Sequence, residues 1–338
     1  MAASAQFPCF VVHKNDAGHV ATSIEALTPD DLPPDDVLIE IDYSSLNYKD
    51  ALAAEGHPGI VRRFPHIPGI DCAGTVAESR AAEFKSGDQV FVTGYDLGGA
   101  HWGGYSRYMR VPAEWIVPLP AGLSLRETMI YGTAGFTAAQ CVAAIVDRGI
   151  TPDRGEVVVT GATGGVGSLA VAILSKLGYD VAAVTGKTDR HDWLRKLGAK
   201  SILKRADVID DSDQRLLPER WAAALDAVGG KTLVTLLRAT KHRGVVATYG
   251  LVGGDKFTSS VYPFLLRGVT LAGIDSAKCP RPQRMEMWQK LAGPWRIENL
   301  DQFATEITLD DLPGYIRQVL SGDSVGRTLV IPTSKKVP

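Results

Sequence analysis

Residues 159–168 read VTGATGGVGS, with four glycines among the seven residues from Gly161 to Gly167. The apolar run VVVT at 157–160 leads into it, a helix-spaced segment from about Gly165 to Leu177 follows, and VAAVT comes next at 181–185. Strand, glycine turn, helix and strand in that order predict a βαβ unit. In such a turn the first glycine permits tight bending, the next lets backbone approach a pyrophosphate, and the last allows helix and strand to pack closely. Amide groups at the helix start, with the positive end of the helix dipole, favour phosphate oxygens. The spacing Gly161-x-x-Gly164-x-x-Gly167, with an extra glycine at 165, departs from GxGxxG. The flanking strands and helix therefore carry the reading of a nucleotide-binding turn.

The same alternation continues outward. A helix is expected from about Asp189 to Leu197, then apolar segments AALDAV near 223–228 and VVATYG at 245–250. Upstream, Ser124 and Glu127 have the spacing of a helix cap, and a helical segment from Thr137 to Asp147 ends at Arg148–Gly149. Strands alternating with helices predict a parallel sheet covered on both faces. Residues 1–125 differ in texture: short strands such as VLIEI at 37–41 and QVFVT at 89–93, punctuated by Gly and Pro. Mixed texture returns near Asp275. The expected organisation is an α/β chain with a Rossmann-type parallel-sheet domain, 126–274, inserted in a β-rich domain made of 1–125 plus 275–338.

The end of the second strand bears on which dinucleotide is held. An Asp or Glu about 20 residues beyond the glycines would bind the ribose 2′-hydroxyl of NAD. Here the strand ends Thr185-Gly186-Lys187, a hydroxyl and an ammonium with no carboxylate. These groups suit a 2′-phosphate through charge-assisted hydrogen bonds, and Arg205 lies within reach in the sequence. NADPH is the expected cofactor.

Composition narrows the class. With 36 basic and 38 acidic side chains the net charge is −2, and 45% of residues are apolar. That balance argues against nucleic acid or an anionic membrane as partner. The cysteines at 9, 72, 141 and 279 form no CxxC pair, which argues against a disulfide framework or a four-thiolate zinc lobe. The uncharged runs 128–146 and 157–175 are rich in Gly, Ala and Thr, and buried elements of a core are expected rather than membrane spans. The N-terminus shows no basic segment followed by an apolar run, so the expected location is cytoplasmic.

A β-rich domain joined to such a cofactor domain is the medium-chain dehydrogenase/reductase architecture, with a GroES-like catalytic domain. Zinc-using members carry a Cys near the position of Asn47 and a Gly-His-Glu after the proline near 68. This chain has SSLNYKDAL at 44–52 and PGIDCAG at 68–74, with Ile70 and Asp71 in place of His and Glu. Its seven histidines show no ligand spacing, so no metal is expected. SSLNYKDALA, FPHIPGIDCAGTV, HWGGYSRY, GTAGFTAAQCV, VVVTGATGGVGSLAVAIL, LVGG and GRTLV occur in that order. The chain resembles, over nearly its whole length, the AcuI/YhdH-type acrylyl-CoA reductases, zinc-independent and quinone oxidoreductase-like.

The resemblance implies a homodimer that reduces acrylyl-CoA to propanoyl-CoA with NADPH. A quinone or enone reductase on the same scaffold is the alternative, and a non-catalytic NADPH-binding protein a further one. The implied catalytic candidates are Tyr48, Asn47 and Asp50, with Tyr48 first; a packed tyrosine with a satisfied hydroxyl is its plain alternative. The implied cofactor contacts are Tyr48, Thr163, Gly164, Gly165, Val166, Thr185, Gly186, Lys187, Arg205, Leu251, Ile274 and Ser276. Arg327 is a further candidate, or else a surface arginine. One departure is Lys187, where many members have Arg, which has a planar fork that Lys lacks. Arg62 and Arg63 could meet the phosphates of CoA, or stand as plain solvated surface. Trp102 and Tyr105 are candidate walls for a narrow acyl pocket. The apolar strand near Val269–Ile274 is the expected dimer edge.

Overall fold

The computed structural model describes residues 6–335. Two compact units divide them. The first takes residues up to Thr133, Ala277–Met285 and those from Asn299 on; the second takes Ala134–Ser276 and Glu286–Glu298.

The first unit opens with a hairpin-like pair, β1 (Phe7–Lys14) and β2 (Val20–Leu27). It continues through β3 (Val37–Leu46), α1 (Tyr48–Ala54), β4 (Asp71–Ser79), β5 (Gln89–Thr93), β6 (Tyr108–Val111) and β7 (Val117–Pro118). Period-two alternation drives β3: Val37, Ile39 and Ile41 are fully buried and pack with Val76, Val90, Val92 and Met109. A second core gathers Phe10, Val12, Leu46, Ala51, Ile67 and Tyr105. The helix α2 (Leu125–Val146) starts as expected: Ser124 N–H donates to Glu127 Oε2 at 2.8 Å, and Glu127 N–H to Ser124 Oγ at 3.2 Å. Its most apolar window is mostly buried, which is the setting of a core helix.

The second unit is built on β8 (Val157–Val159), α3 (Gly165–Lys176), β9 (Val181–Val184), α4 (His191–Lys196), β10 (Ala199–Leu203), β11 (Trp221–Asp226), α5 (Gly230–Ala239), β12 (Thr240–Thr248), α6 (Tyr262–Arg267) and β13 (Thr270–Gly273). Its six strands are all parallel, in the order β10-β9-β8-β11-β12-β13. In chain order that is 3-2-1-4-5-6, the doubly wound dinucleotide-binding arrangement. Val157–Val159, Val181–Val184 and Trp221–Asp226 are buried throughout, as strands covered on both faces must be. The chain then adds α7 (Arg281–Ala292), β14 (Ala304–Thr308), α8 (Leu312–Leu320) and β15 (Arg327–Ile331). The sheet of the first unit thereby runs β14-β15-β3-β4-β5-β7, with β6 on β3.

The unit boundaries differ from 125/126 and 274/275. Gly132, at φ +50 and ψ −158, interrupts α2, and the residues before it bond into the first unit: Ile130 O accepts from Arg327 Nε at 2.9 Å. Glu286–Glu298 falls in the second unit, where Trp288 stacks on Phe136 with ring centroids 6.0 Å apart.

Candidate active site

Two sets of residues matter, one in each unit. In the second unit the turn between β8 and α3 behaves as its sequence implies. Gly161 has φ +59, and Gly164 N–H donates to Gly161 O at 2.9 Å. A Cβ at Gly167 would overlap Gly161 O and press on Ala162 Cα, so only glycine lets the helix approach the turn this closely. Gly164 caps α3, and Thr163, Gly164, Gly165 and Val166 form its entry. The first amide groups of a helix have no intrahelical partner, which leaves them for an anion.

At the end of β9, Thr185 Oγ1 accepts from Lys187 N–H at 3.0 Å and shapes the turn. A Cβ on Gly186 would stand 3.1 Å from Arg205 Nε and 3.2 Å from its Cζ, so the Arg205 guanidinium lies on this glycine. The structure therefore brings Thr185, Gly186, Lys187 and Arg205 together although Arg205 is 18 positions beyond Lys187 in the chain. Leu251 follows β12 and is 63% exposed; Ile274 and Ser276 follow β13 and are half-buried.

In the first unit, α1 begins immediately after β3, capped by Asn47. Asn47 N–H and Nδ2 donate to Asp50 Oδ2 at 2.8 and 3.2 Å, while Gly69 and Ile70 N–H donate to Asp50 Oδ1 at 3.2 and 2.8 Å. Asp50 is fully buried, and burial beside the Asp71 charge pushes its carboxyl up to about 7 against the pull of these donors. These bonds make Asp50 a helix-capping residue that also holds the loop at Gly69 and Ile70. Asn47 is likewise used at both ends of its amide: Nδ2 also donates to Asp71 Oδ2 at 2.8 Å, and Oδ1 accepts from Arg327 at 3.1 Å.

Arg327 is not a surface arginine. It is 3% exposed, and its guanidinium donates to Ile130 O, Leu46 O, Asn47 Oδ1 and Ser45 Oγ. Burial draws its pKa down and the Asp71 carboxylate, 3.8 Å away, holds it up. Asp71 in turn accepts from Ser45 Oγ at 2.6 Å, Asn47 Nδ2, Thr133 N–H at 2.9 Å and Thr133 Oγ1 at 2.5 Å. Gly132 completes the cluster: a Cβ there would lie 2.6 Å from Asp71 Oδ2 and 2.7 Å from Arg327. Sequence reading missed Ser45, Asp71, Gly132 and Thr133 as members of one group. The available signals were three short-range motifs, SSLNYKD, PGIDCAG and GTAGFT.

Tyr48 heads α1, is 48% exposed, and its hydroxyl has no hydrogen-bond partner among the described residues. The packed, satisfied tyrosine is thus Tyr105, which is fully buried and donates to Ser45 O at 3.3 Å, rather than a pocket wall. Trp102 is half-buried and donates to Pro65 O at 3.2 Å. Arg62 and Arg63 are exposed in the loop after α1.

Zinc does not fit this donor set. Among the described residues no three His, Cys, Asp or Glu side chains are grouped to hold a metal. At the positions where zinc-using members place ligands, Ile70 is apolar, and the Asn47 amide and Asp71 carboxylate are consumed by Asp50, Ser45, Thr133 and Arg327.

Comparison with known proteins agrees with the architecture. Residues 33–121 match the family model for the alcohol dehydrogenase GroES-like domain, and 165–292 the model named zinc-binding dehydrogenase. The acrylyl-CoA reductase AcuI of Ruegeria pomeroyi is 45% identical over 96% of this chain and 98% of its own. The YhdH oxidoreductase of Salmonella enterica, solved in complex with NADP, is 46% identical, with TM-score 0.92 over 96% of this chain and 99% of that one. Bacillus subtilis YhfP, solved with NAD bound, is 44% identical, with TM-score 0.94 over 97% of this chain and 100% of that one.

Proposed function

The chain belongs to the AcuI/YhdH-type family of acrylyl-CoA reductases within the medium-chain dehydrogenase/reductases, and from that premise we propose that it reduces the C=C bond of acrylyl-CoA to propanoyl-CoA in the cytoplasm. The observation that carries the reading is end-to-end similarity to AcuI in a chain whose glycine turn and Lys187–Arg205 tip are both intact. When bound, NADPH supplies the hydride for the β-carbon. The chain's own residues hold that cofactor and manage the charge that develops on the thioester oxygen. Thr163, Gly164, Gly165 and Val166 offer the α3 entry to the pyrophosphate. Thr185, Gly186, Lys187 and Arg205 take the 2′-phosphate, two cations on one dianion. Leu251, Ile274 and Ser276 line the nicotinamide side.

Tyr48 is the one catalytic candidate whose polar group is available. Its exposed hydroxyl can donate to the forming enolate oxygen or to the cofactor, and a donor aimed at developing negative charge is among the largest catalytic terms. Asn47 and Asp50 act on it indirectly by capping α1. A proton then reaches the α-carbon from water or a side chain. Arg62 and Arg63, exposed beyond α1, serve the CoA phosphates. Two copies pair along β13, the edge strand of its sheet, and Val261, Leu265 and Leu266 just before it in the chain are all more than half exposed.

The test is oxidation of NADPH, and separately of NADH, with acrylyl-CoA, crotonyl-CoA and a benzoquinone side by side. Turnover of acrylyl-CoA with NADPH is expected. Turnover of the quinone with no turnover of either thioester would overturn the substrate assignment and leave the quinone reductase reading.

A further inference from the structure

The segment AALDAV carries a carboxylate that the cofactor contacts above leave unexplained. Asp226 is the last residue of β11 and is fully buried. Thr160 follows the end of β8, the strand next to β11 in the sheet. In the order 3-2-1-4-5-6 these are strands 1 and 4, between which the connections turn to opposite sides. In sheets of this kind the ligand crevice opens outside the carboxyl ends of those two strands.

Asp226 accepts four hydrogen bonds there. Thr160 Oγ1 donates to Oδ1 at 3.1 Å and Val228 N–H at 3.1 Å; Gly229 N–H donates to Oδ2 at 2.9 Å and Thr248 Oγ1 at 3.5 Å. Thr160 Oγ1 closes the circuit by accepting from Ala227 N–H at 2.9 Å. Among the described residues Asp226 forms no ion pair. Burial raises its pKa, and the four donors oppose that. An arrangement this costly to bury, with so many donors trained on it, marks a fixed geometry rather than a tolerated surface acid.

The bonds reach three loops. Through Thr160 the carboxylate holds the start of the glycine turn. Directly, it holds Val228 and Gly229, the entry to α5, and Thr160 holds Ala227 before them. Those residues carry the loop after β12 in turn: Gly253 N–H donates to Val228 O at 2.8 Å and Val252 N–H to Ala227 O at 3.4 Å. The tip of that loop presents Leu251.

We propose that Asp226, with Thr160, is a positioning residue of the dinucleotide site, stitching the switch point so that the phosphate turn and the Leu251 loop keep one fixed separation. This rests on the cofactor reading above. Its consequence is specific: cofactor affinity depends on the stitch, whereas the rate once cofactor is bound does not.

The experiment measures NADPH dissociation constants by fluorescence for the full-length protein, with Asp226→Asn, Thr160→Val and Thr160→Ser, alongside kcat, the KM for NADPH and the thermal midpoint of each. Asp226→Asn and Thr160→Val are expected to weaken NADPH binding and raise its KM about 10- to 100-fold, with kcat at saturating NADPH changing less than about threefold. Thr160→Ser, which keeps the hydroxyl, should bind like the parent. A lowered thermal midpoint with an unchanged dissociation constant would show a merely structural residue and overturn the proposal. So would a kcat loss at unchanged affinity. If Asp226→Asn does not fold, the Thr160→Val and Thr160→Ser pair decides: equal affinities overturn the proposal. Failure of the parent protein itself to bind NADPH would instead sink the cofactor reading.

Discussion

The glycine turn of the second unit and the polar cluster of the first are built from opposite materials. The turn is almost all backbone: Gly161, Gly164 and Gly167 matter for what they lack, and every group lies within ten residues of the others. The cluster is almost all side chain: Ser45, Asn47, Asp50, Asp71, Thr133 and Arg327 come from four separate segments and meet in the interior. A backbone site tolerates change outside its glycines. A buried charge network tolerates change nowhere within it, since removing one partner strands the rest. The comparison therefore sorts residues by the kind of loss they should show.

The largest effect is expected at Arg327. Arg327→Leu would leave the buried Asp71 carboxylate without its cation and orphan acceptors at Ile130, Leu46 and Asn47. A loss of about 3–5 kcal/mol in urea unfolding is expected. Arg327→Lys should recover little, because one ammonium cannot span four acceptors set out for a planar fork. A loss below about 1 kcal/mol would mean the cluster is not a single charge-balanced unit.

Next is Tyr48, which stands beside the cluster without belonging to it. Tyr48→Phe should lower kcat about 100-fold, as loss of one donor to a developing oxyanion does, while the thermal midpoint stays put. Among the described residues its hydroxyl is bonded to nothing whose loss the fold would register. An equal fall in stability and rate would place Tyr48 inside the cluster and break the contrast.

Gly167→Ala inverts that pattern within the backbone site. The added Cβ meets Gly161 O and Ala162 Cα, main-chain atoms that cannot rotate away. Overpacking of this kind costs about 1–3 kcal/mol, and the displaced helix start should weaken NADPH binding in the same variant, by fluorescence titration. Normal stability with normal binding would show that the turn yields more than its geometry implies.

These differences explain what could be read in advance. The parallel sheet was legible because β8, β9 and β11 are uninterrupted apolar runs, and the turn because its meaning lies in adjacent residues. The cap at Ser124–Glu127 was legible for the same reason. Arg327 was not: nothing in GRTLV distinguishes an arginine at a strand start that points to solvent from one that enters a core. The capping role of Asp50 was not legible, because NYKD reads equally well as a polar active-site stretch and as a helix cap, and only burial separates the two. The break at Gly132 was hidden inside an otherwise uniform helical pattern, so the unit boundary falls eight residues later than the change in texture. Arg205 was reachable from the sequence only as a nearby cation; its place on Gly186 comes from the register of β10 on β9.

The smallest effect tests the tip of β9, where both kinds of construction meet. Gly186 supplies room and Arg205 and Lys187 supply charge, all three exposed or half-exposed. Screening by solvent limits what one exposed cation contributes, so Lys187→Ala should weaken NADPH about tenfold and leave NADH unchanged. Removing Arg205 as well should abolish the preference between the two cofactors. Kinetic constants for both cofactors across the single and double variants check this. If Lys187→Ala weakened NADH and NADPH alike, the lysine would be contacting a feature both cofactors share, such as the pyrophosphate, and the selectivity would rest on Arg205 alone. The fork of Arg205, packed against glycine and so preorganised, would then do what a flexible ammonium cannot.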